Sequence, residues 1–253
     1  MDDALYEKFY AVEEWYWWSV GTRAIFRDWL RAALPAARAR VLDVGCGTGI
    51  FVREIADLGD VTGIDVSPHA VAFGVRRGLD RLCVGSAERL PYRSGAFDAV
   101  TALDIIEHTD DQQTVPEIAR VLRPGGFALI HVPAFPLLWG EHDEVNRHLR
   151  RYRRGPLEAV LGAHGLAVER LSYVNCLLFP AALAVRLAKR VVRPLQTPRP
   201  PRAEIYDLPR WLNRSLLAIL VLERAAMQRR LRLPFGVSIL CLARKRNGRR
   251  SDA

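Results

Sequence analysis

Residues 41–49 read VLDVGCGTG, and no other stretch restricts the fold as much. Val41, Leu42 and Val44 form a short apolar run of the kind that is buried on both faces of a parallel sheet. Gly45, Gly47 and Gly49 then let the backbone turn sharply and approach a ligand where a Cβ would collide. A glycine-rich turn leading from a strand into a helix N-terminus commonly cradles a nucleotide-like cofactor. The loop is neither GxGxxG nor GxxxxGK[ST], so it does not carry the two phosphate-gripping patterns. Taken alone, it is equally compatible with a tight structural turn.

Segments further along the chain decide between these readings. VTGIDV (61–66) predicts a second strand ending in Asp65. An acid about 20 residues past such a loop is placed to accept hydrogen bonds from both ribose hydroxyls. Asp65 with Ser67 and Pro68 also reads as a helix cap, and the two roles are compatible. GSAERLP (85–91), SGAFDAVTALDIIEH (94–108) and LRPGGFALIHVP (122–133) follow in order. With the first two segments, they resemble the class I S-adenosylmethionine (SAM) methyltransferases. The resemblance implies SAM as cofactor. It implies that Asp43 helps orient the methionine end beside Gly45, Cys46, Gly47 and Gly49, and that Asp65 and Val66 flank the ribose. Ala87 and Glu88 would border the adenine, with Leu103 against the adenosine.

The chain has 253 residues, half of them hydrophobic, which suits one α/β domain with a sizeable core. Strands are predicted near 41–45, 61–65, 81–85, 97–103, 126–132, 166–174 and 237–243, alternating with helices. The fold class is therefore a Rossmann-like doubly wound sheet of seven strands. The resemblance implies that the last strand is antiparallel and lies between the fifth and sixth. Within the single domain, 1–35 reads as a helical, aromatic cap, 36–174 as the SAM-binding core, 175–236 as a helical insertion and 237–244 as the final strand.

Cys46, Cys83, Cys176 and Cys241 form no CxxC, which argues against a zinc site or disulfide framework and fits a reducing compartment. MDDALYEKFY is acidic and lacks a secretory apolar run, so a cytoplasmic location is expected, with peripheral contact at the inner face of the membrane as an option. Charge is uneven. Residues 1–130 hold 14 Lys+Arg against 19 Asp+Glu, net −5; residues 131–253 hold 23 against 9, net +14, and the halves add to +9. The basic half suits a solvated surface, an anionic acceptor or an anionic membrane.

The insertion carries two apolar-basic stretches, 176–192 and 208–236, around a proline-rich run at 192–202. Pro180 is expected to interrupt the first stretch and Pro234 to stop the second. Neither reaches the ~20 uninterrupted apolar residues of a membrane span. They read as helices packed on the sheet, as a lid over the acceptor, or as interfacial helices.

Methyl transfer needs a held nucleophile, the correct distance and excluded water. A hydroxyl nucleophile gains from a general base, and histidine suits that role near neutral pH. His142, Asp143 and His148 in EHDEVNRH form a base-plus-orienter set. Arg150, Arg151 and Tyr152 would hold an anionic acceptor or make salt bridges within the fold, and His108 lies at the mouth of the same cleft. Tyr16, Trp18 and Arg23, from the aromatic stretch 13–23, are candidates to touch ligand. EHDEVNRHLRRY with the aromatic stretch resembles a bacterial subgroup found in envelope-glycan settings. That implies O-methylation of a sugar, glycolipid or small-molecule hydroxyl, on an acceptor that is small or lipid-linked.

DIIEH (104–108) supports an alternative. Quinone-pathway polyprenyl-phenol O-methyltransferases have a related ExxEH pattern that binds a divalent metal in some members. Asp104 replaces the first glutamate, so no metal ligand is assigned, though oxygen donors would favour Mg²⁺. A nucleic-acid methyltransferase would use the basic half for phosphates. No RNA-binding module is visible, LDIIEH stands where amino-directed DNA enzymes carry [DNS]PP[YFW], and no nucleic-acid partner is expected. A non-catalytic SAM-binding protein is the remaining alternative, and the sequence is silent on oligomeric state.

Overall fold

The structure is a computed structural model that describes residues 3–34, 38–192 and 208–247. Its strands are β1 (Ala39–Val44), β2 (Gly59–Asp65), β3 (Leu82–Val84), β4 (Phe97–Leu103), β5 (Leu122–Pro133), β6 (Leu166–Val174) and β7 (Ser238–Lys245). They form one sheet in the order β3-β2-β1-β4-β5-β7-β6. β4 and β6 have the bounds predicted from sequence, whereas β5 begins at Leu122 because Leu122 already pairs with Phe97, ahead of an irregularity after which the ladder resumes at Phe127. β7 runs antiparallel to both β5 and β6. The chain moves outward from β1 to β3 and then returns to place β4 on the other side of β1. This reversal opens a crevice beyond the carboxyl ends of β1 and β4, where ligands of such sheets lie.

Helices cover both faces. On one, α5 (Asp111–Val121) and α7 (Arg154–Ala163) bury Val115, Ile118, Leu157 and Leu161 against Val100, Ile130 and Cys241. On the other, α2 (Trp17–Ala33) and α9 (Arg210–Gln228) bury Ile25, Phe26, Trp29, Leu220 and Met227 against Val41, Leu129 and Leu240. Truncating a fully buried leucine such as Leu220 to alanine removes about 2–5 kcal/mol of stability.

α9 belongs to this layer, not to a lid. A Cβ on Gly21 would overlap the Leu220 side chain, so glycine there lets α2 and α9 approach closely. The Asn213 amide accepts from Trp17 N–H and donates to Trp15 C=O, both at 2.9 Å, satisfying a donor that the first turn of α2 leaves open. Arg224 pairs with Asp28 at 2.6 Å.

α9 stops at Gln228, short of Pro234, because Arg230 turns left-handed (φ 61°) and Leu231 N–H bonds back to Ala226 C=O at 3.2 Å. In α8 (Phe179–Val192), Pro180 stands in the first turn and starts the helix where interruption was expected. The proline-rich run falls, from residue 193 on, outside the described residues. No helix among the described residues is long and apolar enough to cross a membrane.

Candidate functional site

The glycine loop crosses from β1 to α3 (Ile50–Glu54). Gly45, Gly47 and Gly49 all take positive φ. The Gly45 and Cys46 amides bond to Ile64 C=O at 2.8 and 3.0 Å, which fixes the loop to β2. Gly47 (φ +52°) has open space where a Cβ would stand. That cradle, open beside the carboxylate of Asp65, fits an adenosyl cofactor. Asp65 accepts the Gly47 and Ser67 amides at 2.9 Å each, one per carboxylate oxygen. The hydroxyl of Tyr6, from α1 (Asp3–Val12), also bonds to Asp65.

Asp43 is buried and accepts the Thr101 hydroxyl. Burial pushes its carboxyl up to about 7, against that hydrogen bond and with the Asp65 charge adding to the rise. Thr48 donates to Glu13 at 2.6 Å, and Glu13 is also paired with Arg77, so the segment after α1 clamps the loop. Glu13, Tyr6 and Thr101 were not identified from sequence. Their partners lie tens of residues away, and no local pattern announces them.

The Cys46 side chain packs into the α2 face of the core and leaves its main chain in the loop. Burial pushes that thiol far up and makes it inert. Val66 is exposed at the end of β2, Ala87 is buried, and Leu103 packs half-buried against the α2 face. Glu88 accepts the Asp110 amide at 2.9 Å, which ties the segment after β3 to the start of α5.

A second group of side chains gathers beyond β4 and β5. Asp104 turns left-handed (φ 54°) and sends the chain into a tight turn, Ile106–His108. Leu149 N–H bonds to Glu107 C=O at 2.7 Å and brings the segment after α6 (Glu141–Val145) onto that turn. His148 Nδ1 lies 2.8 Å from Asp143 Oδ1. Asp143 is fully buried and accepts the Gly140 amide at 2.8 Å and Arg151 Nε at 2.7 Å. Burial alone would raise the Asp143 carboxyl, yet the bonds from His148 and Arg151 hold it well below the usual carboxylate range.

The His148 ring stands edge-on to His108 and His142, with centroids 4.7 and 5.7 Å away. Burial, then the His148 charge, pushes His108 down to about 4. Thus His142, Asp143, His148 and His108 converge, with His148 rather than His142 on the aspartate.

Four residues considered for the acceptor have partners within the fold, which for Arg150 and Arg151 is the second of their two expected roles. Arg151 is buried between Asp143 and Ala134 C=O (3.0 Å), and the Tyr152 hydroxyl donates to Asp111 at 2.7 Å inside the core. Arg150 is held by the same Asp111 at 2.7 Å. Arg23 grips Glu54 at 3.0 Å and Glu13 C=O at 2.7 Å, because α2 faces α3 and not the cleft. Tyr16 is buried at the start of α2, and Trp18 is half-buried with its ring edge-on to Trp17.

Glu107 is buried without exposure, and neither carboxylate oxygen has a hydrogen-bond partner. Burial and the Asp104 charge push its carboxyl well above the usual range. Ligand atoms of Glu107, His108 and His148 all lie within 4.8 Å of one another. Asp104, the first residue of the sequence pattern, instead bonds to His131 at 2.8 Å, and His131 continues to Ser238 at 2.7 Å. The donor set is thus two imidazoles and one carboxylate, which suits zinc or iron better than the Mg²⁺ expected from oxygen ligands.

Residues 42–130 match the family model described as a methyltransferase domain. The chain is 41% identical over 107 residues to a ubiquinone biosynthesis O-methyltransferase of Xanthomonas oryzae pv. oryzae, covering 39% of this chain and 45% of that protein. It spans about half the length of the curated relatives it matches. Among solved structures, it superposes on one from the complex of the Haloferax volcanii Trm112 methyltransferase activator with its methyltransferase (TM-score 0.60, 20% identity, 96% of this chain and 95% of that one). It also superposes on Haemonchus contortus phosphoethanolamine N-methyltransferase 2 in complex with SAM (TM-score 0.55, 19% identity, 86% and 51%). At these identities the structural likeness is one of fold. Residues 42–130 thus match a methyltransferase domain, and the seven-stranded sheet around them has the fold of the methyltransferase structures it superposes on.

Proposed function

We propose that the protein transfers a methyl group from SAM to a hydroxyl oxygen of a small-molecule acceptor. The observation that carries this reading is the open cradle at Gly47, with its amide bonded to the acid that ends β2. SAM supplies an electrophilic methyl carbon. Asp65 would hold the ribose, and the loop amides the methionine end. His148 donates through Nδ1 to Asp143 and keeps Nε2 free to accept the hydroxyl proton as the O–CH₃ bond forms and the S–CH₃ bond breaks. Arg151 offsets the buried Asp143 charge and fixes the imidazole. His108, pushed down to about 4, stays neutral at pH 7 and adds no cation beside the sulfonium. Relatives named ubiquinone biosynthesis O-methyltransferase support oxygen as the atom methylated. Transfer of labelled methyl from SAM to a panel of phenols, catechols and sugar alcohols tests the reading. Oxygen methylation that falls about 10²–10⁴-fold in His148→Ala is expected, and no acceptor in the panel or equal turnover in that variant counts against it.

The unpartnered oxygens of Glu107 favour a second reading, in which Glu107, His108 and His148 hold a divalent cation that would lower the pKa of the acceptor hydroxyl. Zinc and manganese titrations of the wild type and Glu107→Gln separate the two. Stoichiometric binding lost in the variant supports the metal, and absence of binding to the wild type leaves His148 as the base.

A further inference from the structure

We propose that the outer face of α9 forms a docking surface for an anionic phospholipid bilayer. α9 has two sides of different chemistry. Its inner side carries Leu220 and Met227 in the core, with Asn213 and Glu223 hydrogen-bonded there. Its outer side carries Trp211, Ala218, Val221, Leu222 and Ala225, a helical stripe left exposed. Trp211 is 69% and Leu222 65% exposed, and with Val221 beside Leu222 they lie on one face of the helix rather than scattered singly. Exposed arginines accompany the stripe: Arg210 precedes Trp211, Arg214 lies with Ser215 between Trp211 and Ala218, and Arg229, Arg230 and Arg232 stand at the other end.

Charge complementarity identifies the occupant. α8 has no acidic residue, and Glu223 is the only one in α9. Glu223 is 2% exposed and accepts the Asn175 and Leu177 amides at 2.8 and 2.7 Å. Asp28, the acid that α9 meets on α2, is held by Arg224 at 2.6 Å and Gln228 at 2.7 Å. The outer side of α9 therefore presents apolar surface, an exposed tryptophan and cations, with no anion of its own. A helix of that composition lies in a headgroup region with its apolar side in the acyl boundary, and tryptophan favours that depth. A nucleic acid would match the arginines and leave the stripe in water.

Geometry makes this surface a rigid one. Glu223 fastens α9 to the chain leaving β6, and Phe179 of α8 packs on Phe135 and Phe235 with ring centroids 5.6 and 5.4 Å apart. Both contacts lie at the end of the sheet where β5 and β6 finish, the end that also carries the His148 cluster.

The test is sedimentation of the full chain with vesicles of phosphatidylcholine alone and with added phosphatidylglycerol. Pelleting with the anionic vesicles, reduced by salt, is expected. Arg214→Glu should weaken it more than fivefold, since loss of one cation near such a surface costs about fivefold. Trp211→Ser/Leu222→Ser, which removes no core contact, should weaken it at least tenfold while SAM affinity stays unchanged. Equal pelleting with neutral vesicles, none with anionic ones, or wild-type behaviour of both variants overturns the proposal. So does a dimer in sedimentation equilibrium that Trp211→Ser/Leu222→Ser dissociates, since a second copy would then own the stripe. SAM binding is read separately, so failure here leaves the methyl-transfer reading untouched.

Discussion

The two ends of the crevice are built by different means. At the cofactor end, the main chain does most of the work: three left-handed glycines, amides bonded to Ile64, and a single acid receiving two of its neighbours' N–H groups. At the His148 end, where we propose the acceptor binds, nearly everything is side chain, with Asp143, His148, Arg151 and Glu107 drawn from two distant segments. A backbone cradle can be written into nine consecutive residues. A side-chain cluster depends on which strands lie side by side, so it changes more freely between proteins that share one sheet.

The comparison predicts the largest single effect at the acceptor end. Asp143→Asn leaves Arg151 buried without its anion and releases the His148 tautomer. Stability should fall by about 3–5 kcal/mol, as when one partner of a buried pair is removed. Turnover should drop about 10²–10⁴-fold with little change in SAM affinity. Chemical denaturation and single-turnover kinetics would show both, and a stable, fully active variant would refute the coupling of Asp143 to His148.

The cofactor end should answer in affinity instead. Asp65→Ala removes an ionised acceptor, and hydrogen bonds to charged groups are worth about 1.5–3 kcal/mol each. Calorimetry should therefore show SAM binding weakened about 10–100-fold, with folding retained. Unchanged affinity would mean that the ribose is held elsewhere.

The smallest effect is a pH dependence confined to the same end. Asp43 is pushed up to about 7 in the folded protein, so it holds its proton below that pH whereas the unfolded chain has lost it above about 4. Its contribution to stability is therefore fully present below the unfolded value and lost as pH rises toward 7. A sulfonium cation favours the ionised form. SAM affinity should rise as pH increases through about 7, by less than tenfold per unit, and the demethylated, uncharged-sulfur product should show a weaker trend. Identical pH profiles for the two ligands would rule out Asp43 as the source.

Sequence legibility followed the same divide. Strands buried on both faces declare themselves as apolar runs, and β4 and β6 fell at their predicted bounds. Asp143 and His148 are five residues apart, close enough to suggest a pair before their contact was known. Glu107 and His148 are too far apart in the chain for any periodicity to link them, yet the order of β4 and β5 makes them neighbours. For Arg23, Arg150, Arg151 and Tyr152 the sequence leaves acceptor and fold contacts undivided, because an arginine or tyrosine near a cleft has the same local signature whether it faces ligand or a buried acid. Only the packing of α2 on α3, and of the segment around Tyr152 on α5, distinguishes the two.

The bond from Tyr6 to Asp65 has a kinetic consequence. The phenol and a ribose would compete for one carboxylate, so α1 must yield, at least locally, as the nucleoside arrives. Tyr6→Phe should therefore quicken entry of the adenosyl group, and a bulky fusion ahead of α1 would alter how readily that group is admitted without touching a single atom that contacts it.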